Sequence, residues 1–190
     1  IMGRFLPAIP ITLQEINSKG ISFDHYRFTK PYINETVLLK EFGYDNDYVK
    51  QHFLHFIGDG HYELLPAFEN QRLVENHFET MPEDEWHLKI KNGLFNLISN
   101  VILFESDEAH SFHFRFNIGS TSSFQHLDEK TKQILNELYT NYFFIRQDQA
   151  WEKEALNKLP MLKKSTNMLI CGEDLGLVPS CVPNVMHQLG

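Results

Sequence analysis

The sequence predicts an α/β chain in which a helix-rich α+β unit leads into a strand, an acidic turn and a final helix. Three observations carry this. The run Met168-Leu169-Ile170-Cys171 is apolar, and Gly172-Glu173-Asp174-Leu175-Gly176 then Leu177-Val178-Pro179 follow it, so a strand would deliver two adjacent carboxylates into a glycine-containing turn. Phe112, Phe114 and Phe116 alternate with His113 and Arg115, as a strand with one core face requires. Amphipathic helical stripes with recognisable caps fill much of the remaining sequence.

Taken in order, Asn34 is placed to cap a helix that runs through Phe42 and stops at Gly43. Asp45 or Asp47 starts another, with Val49, Phe53 and Phe56 on one face. Gly58-Asp59-Gly60 is a turn, followed by a short strand over residues 61–65 and a helix over 69–79. Thr80 and Glu83 have capping-box spacing ahead of the stripe Trp86, Ile90, Leu94 and Leu97, which Gly93 is expected to shorten. A hairpin over 100–105 and 110–118 turns at Ser106-Asp107-Glu108-Ala109. A long helix then runs from Ser123 or Asp128 to Phe144, and another from Asp148 until Pro160 breaks it. Val182, Val185, Met186 and Leu189 form the last stripe. No internal repeat or low-complexity tract interrupts this pattern.

Composition excludes several function classes. The chain has 190 residues, 42% hydrophobic and 22% charged, which suits a globular protein with a substantial core. No apolar run approaches the ~20 residues of a membrane span, and no charged-then-apolar leader occurs before residue 20, so neither a membrane nor a secreted reading is expected. With 17 basic against 25 acidic residues and a net charge of −8, a phosphate-backbone partner is disfavoured. Two cysteines, Cys171 and Cys181, make a disulfide framework improbable and point to a reducing, cytoplasmic setting.

The candidate sites each have a structural alternative. On spacing alone, Glu173 and Asp174 serve either as acid–base carboxylates at a strand end or as caps of the following helix. His52 and His55 lie three apart on an expected helix without a completing ligand, and His110 and His113 have opposite strand parity, so no metal is predicted. Gly58 and Gly60 lack the remainder of a dinucleotide fingerprint. Ser120, Ser122 and Ser123 precede a helix and read as caps, with no nucleophile elbow around them. Trp86 and Trp151 can stack on sugars, but their apolar helical spacing favours core packing.

The string Gly172-Glu173-Asp174-Leu175-Gly176, with Leu177-Val178-Pro179 after it, resembles the acid/base motif of the amylomaltases, the 4-α-glucanotransferases or disproportionating enzymes of glycoside hydrolase family 77. Further patches resemble the larger, plant cytosolic type: Gly3-Arg4-Phe5-Leu6-Pro7-Ala8-Ile9-Pro10, Phe114-Arg115-Phe116-Asn117, and the stretch holding Tyr142, Arg146-Gln147, Trp151, Ala155-Leu156 and Leu159-Pro160. The resemblance implies a fragment of a (β/α)8 glycoside-hydrolase barrel. Residues 1–20 would be a barrel-derived segment, 21–160 an inserted helix-rich α+β domain, and 161–190 the barrel strand and helix that carry the acid/base.

It also implies the chemistry, a retaining transfer of α-1,4-glucan segments between malto-oligosaccharides or glycans, with Glu173 as acid/base, Asp174 as a secondary, substrate-binding residue, and no cofactor. The family nucleophile is an Asp in an Arg-Ile-Asp-His motif that this chain lacks. Asp24-His25 is the nearest dipeptide, but Ser22-Phe23 precedes it, so Asp24 is not assigned that role. The isolated chain is therefore expected to be inactive. The alternative is a non-catalytic glycan-binding module, or a homo-oligomer joined through the insert.

Overall fold

The computed structural model describes residues 8–172 and 178–190. They form a mixed, helix-rich α+β fold in the order β1 (Ile11–Thr12), α1 (Leu13–Ser18), α2 (His25–Thr29), α3 (Glu35–Phe42), α4 (Asn46–Phe53), β2 (Leu54–Gly58), β3 (His61–Leu64), α5 (Gln71–Phe78), α6 (Glu85–Ser99), β4 (Leu103–Glu105), β5 (Ser111–Phe114), α7 (Ser122–Gln125), α8 (Glu129–Asn141), a π-helical turn over Tyr142–Arg146, α9 (Gln147–Lys164) and α10 (Val182–Leu189). Strands β1, β5 and β4 make a three-stranded antiparallel sheet with β5 in the centre, and β2 and β3 make a separate antiparallel hairpin.

Two cores result. The first packs Ile11 and Ile16 with Phe28, Leu103, Phe112, Phe114, Leu135 and Tyr142, so residues on β1 and α1 share a core with the central sheet and α8. The second joins α3, α4, α5 and α6 around Leu38, Phe42, Val49, Val74, Ile90 and Leu94. A buried polar bridge links them. Asn100 donates to the Tyr32 carbonyl at 2.7 Å and accepts from the Ser123 backbone N–H at 2.9 Å, using both ends of its amide. Arg27 donates to the Ser123 hydroxyl at 2.7 Å, and its guanidinium lies 4.1 Å from the Tyr32 ring centroid. Pairing at every position is needed there, because a buried polar atom left without a partner costs ~1–3 kcal/mol.

Several local expectations are corrected. Phe56 lies on β2, not on the helix with Val49 and Phe53, because the backbone turns extended at Leu54 and the hairpin at Gly58-Asp59-Gly60 needs a strand on each side. Asp84 caps α6 through the His87 N–H, so the Thr80/Glu83 box is not the start of that helix. Gly93 does not shorten α6; it gives Phe42 room, since a Cβ there would lie 2.2 Å from the ring. Thr121, not a neighbouring serine, caps α7.

The central strand β5 is buried on both faces. His113 sits inside, hydrogen-bonded to the Tyr142 hydroxyl at 2.8 Å. The expected interruption between Phe144 and Asp148 is absent, and the helix passes through the π-helical turn into α9 because Tyr142 and Phe143 enter the core there. Pro160 does not end α9, which continues to Lys164. The proline removes one backbone bond, but α10 packs against this stretch and Lys163 donates to the Leu189 carbonyl.

Candidate active site

Glu173 and Asp174 lie outside the described residues, and the site is defined by what holds the chain on either side of them. Upstream, residues 168–171 do not form the expected strand. Met168 and Leu169 are 77% and 89% exposed, and no described strand pairs with them. Among the described residues no strand lies beside them, and an apolar strand is stable only when neighbours take its backbone bonds and cover its faces. Together with Leu159, Leu162 and Met186 these residues border an apolar cleft of about 310 Å³.

Downstream, the chain is fastened. Asp148 accepts from the Ser180 backbone N–H at 2.9 Å and also from the Ser180 hydroxyl. Gln147, 1% exposed, pairs its side-chain amide with both backbone groups of Ile9 at 2.8 Å each. Arg146 donates to the Pro10 carbonyl at 2.7 Å and forms an ion pair with Glu15. Successive helical residues project about 100° apart, so Arg146 and Gln147 hold the segment around Ile9 to Glu15 while Asp148 holds Ser180. Ser180 begins the approach to α10, whose Val185 is buried.

The electrostatics follow the contacts. Burial pushes the Glu15 carboxyl up, but hydrogen bonds from Arg146 and the Thr12 N–H, the charge of Arg146 and the Thr12 hydroxyl outweigh it, so Glu15 is held below its usual range. Glu15 also completes the capping box of α1 with Thr12, and it thus couples that helix to α9. Burial, and then the Asp148 charge, push the Cys181 thiol up. Cys171 is exposed.

The other candidates are dispersed. His52 on α4 stacks on Tyr48 and bonds its carbonyl, while His55 is on β2; His110 occupies the turn before β5 with φ 57°. Among the described residues, no three His, Cys, Asp or Glu side chains converge as metal ligands. Gly58 and Gly60 both have positive φ in the hairpin turn. Ser123 is buried between Asn100 and Arg27. Asp24 caps α2, and His25 pairs with Glu105 at 2.7 Å. Trp86 is not a core residue; it is 37% exposed and donates to Asp45 at 3.1 Å. Sequence reasoning gave no role to Gln147 or Asp148. Their signal is a polar Arg-Gln-Asp triplet directly after the apolar Tyr142-Phe143-Phe144-Ile145.

The family model for 4-alpha-glucanotransferase matches residues 77–190, a span that includes Arg146, Gln147, Asp148, Glu173 and Asp174. The chain is 37% identical over 195 aligned residues to 4-alpha-glucanotransferase DPE2 of Oryza sativa subsp. japonica, with the whole of this chain covered. It spans 20% of the length of that relative. No solved structure matches. The chain belongs to the 4-alpha-glucanotransferase family of glycoside hydrolases. Among the described residues, no helix is long and apolar enough to cross a membrane.

Proposed function

We propose that the chain is part of a retaining 4-α-glucanotransferase, a cytoplasmic (β/α)8-barrel enzyme acting on malto-oligosaccharides or glycans. In this reading residues 21–160 form the inserted domain, while 1–20 and 161–190 belong to the barrel. Glu173 protonates the departing glycosidic oxygen and later takes the proton of the acceptor 4-hydroxyl. Asp174 binds a sugar hydroxyl or orients the turn. The nucleophile, about 5–5.5 Å from the acid/base in a retaining enzyme, comes from outside this chain.

The observation that carries the reading is the Gly172-Glu173-Asp174-Leu175-Gly176 string, lying within the matched family span and followed by a segment that Asp148 fastens at Ser180. Exposed Met168, Leu169 and Ile170 support it as well, since a barrel strand has its apolar faces covered by neighbours. The test is glucose release from maltotriose. A full-length enzyme containing this chain is expected to transfer glucosyl segments and release glucose, whereas the chain alone, without a nucleophile, is expected to release none. Robust transfer by the chain alone would overturn the assignment of the nucleophile, and a full-length enzyme inactive on α-glucans would overturn the function.

A further inference from the structure

The two cores leave a cleft of about 500 Å³ between them, where α2 and β4 face β3, the start of α5 and the end of α6. Its floor is apolar: Ile98 and Val101 are buried, and Leu64 and Phe104 are partly so. The rim is polar and exposed, with Tyr26, Lys30, Glu63, Glu69 and Asn70. Burial, and then the neighbouring Glu63 carboxylate, raise the Tyr26 phenol. Asn70 spends its carbonyl oxygen capping α5 through the Leu73 N–H, which leaves its NH2 group to donate. Lys30 and Glu69 make no ion pair among the described residues.

This composition selects a ligand class. The volume falls in the usual range for small-molecule sites, which favour junctions between structural units. Two carboxylates against one lysine repel an anion, and the mixed donors and acceptors suit a neutral ligand rich in hydroxyls. A pyranose ring offers an apolar C–H face to such a floor and hydroxyls to such a rim. We propose that this cleft binds a stretch of α-1,4-glucan, sugar faces on Phe104 and Leu64 and hydroxyls on Glu63, Glu69 and Asn70. The choice of an α-linked glucan rests on the function proposed above; the cleft's affinity for a neutral saccharide does not.

The test is a titration of the 190-residue chain with maltoheptaose, followed through backbone amide NMR shifts. The largest shifts are expected in residues 26–30, 63–70 and 98–104, with a weaker response to cellotetraose. The variant Glu69→Ala is expected to lose about tenfold in affinity, on the scale of a hydrogen bond to a charged group, with an unchanged melting temperature. Shifts confined to residues 168–181, no shift at millimolar maltoheptaose, or an equal response to cellotetraose would each overturn the proposal. If the full-length enzyme transfers from maltotriose while the chain shows no cleft shifts, the cleft assignment alone fails. Cleft shifts together with an enzyme inactive on maltotriose would support the cleft and sink the transferase reading.

Discussion

Asp148 accepts both hydrogen bonds that Ser180 offers, one from the backbone N–H at 2.9 Å and one from the hydroxyl. Ser180 closely follows Glu173 and Asp174 in sequence, so the first turn of α9 anchors the described chain downstream of the two carboxylates. Arg146 and Gln147, immediately before Asp148, hold Pro10, Glu15 and Ile9. One helical turn thus ties together two stretches far apart in sequence, both of which the proposed function places in the barrel.

Replacing Asp148 with Ala removes the one carboxylate oxygen, Oδ2, that accepts both bonds. Ser180 is exposed, so water takes over as its partner, and the loss in stability is expected to be only about 1 kcal/mol. The larger effect is local. Cys181, buried and with its thiol raised by burial and by Asp148, becomes reachable and more easily ionised. Iodoacetamide labelling followed by peptide mass mapping is expected to show Cys181 reacting several-fold faster in Asp148→Ala, with Cys171 unchanged. Equally slow labelling of Cys181 in both proteins would mean that the contact does not hold this segment.

Gly93→Ala separates propensity from packing. In an open helix the change would gain up to about 1 kcal/mol. Here the new Cβ would lie 2.2 Å from Phe42 Cε1, and the Phe42 ring is fully buried, so it must shift within a packed core. The expected outcome is destabilisation by about 1–3 kcal/mol, the usual range for overpacking, measured by chemical denaturation. A gain in stability would show that Phe42 can turn aside.

Glu15 makes stability depend on acid. Its folded carboxyl is held below the usual value of 4.5, so its contribution is fully present above that value and is lost as pH falls through the lower, folded one. Glu15→Gln is expected to melt at lower temperature than the parent at neutral pH, with the difference shrinking below pH 4.5. Because the side chain is 39% exposed, the effect should be modest. A difference that stays constant down to pH 2 would place the effect elsewhere than in the Arg146 pair.

Much of the fold was legible where short-range chemistry decides it. Asn34, Gly43 and Asp128 cap helices as their residue types suggest, because a side-chain oxygen on an orphan N–H, or a glycine at φ 60°, acts within a few residues. What was not legible depends on partners distant in sequence. Phe53 and Phe56 have helical spacing, yet only the hairpin partner β3 decides that Phe56 is on a strand. Gly93 weakens a helix in isolation, and only Phe42 explains its place there. At the site, Glu173 and Asp174 could be read from a motif, whereas Gln147 and Asp148 could not, since their partners Ile9 and Ser180 are known only once the chain is folded.

The central claim is that Glu173 is the acid/base of glucan transfer. Glu173→Gln in the full-length enzyme keeps the size and a hydrogen-bond donor but can neither give a proton to the leaving oxygen nor take one from the acceptor. A glycosyl fluoride donor needs little acid help, so the variant should form the glycosyl-enzyme from it and then stall for want of base assistance. Asp174→Asn should be milder. The measurement is intact-protein mass spectrometry of the variant after brief exposure to α-maltosyl fluoride, with transfer from maltotriose assayed in parallel. The expected result is an accumulated covalent adduct and transfer from maltotriose reduced by about 10²–10⁴-fold, the usual contribution of general acid–base catalysis. No adduct and near-parental rates on maltotriose would contradict the account.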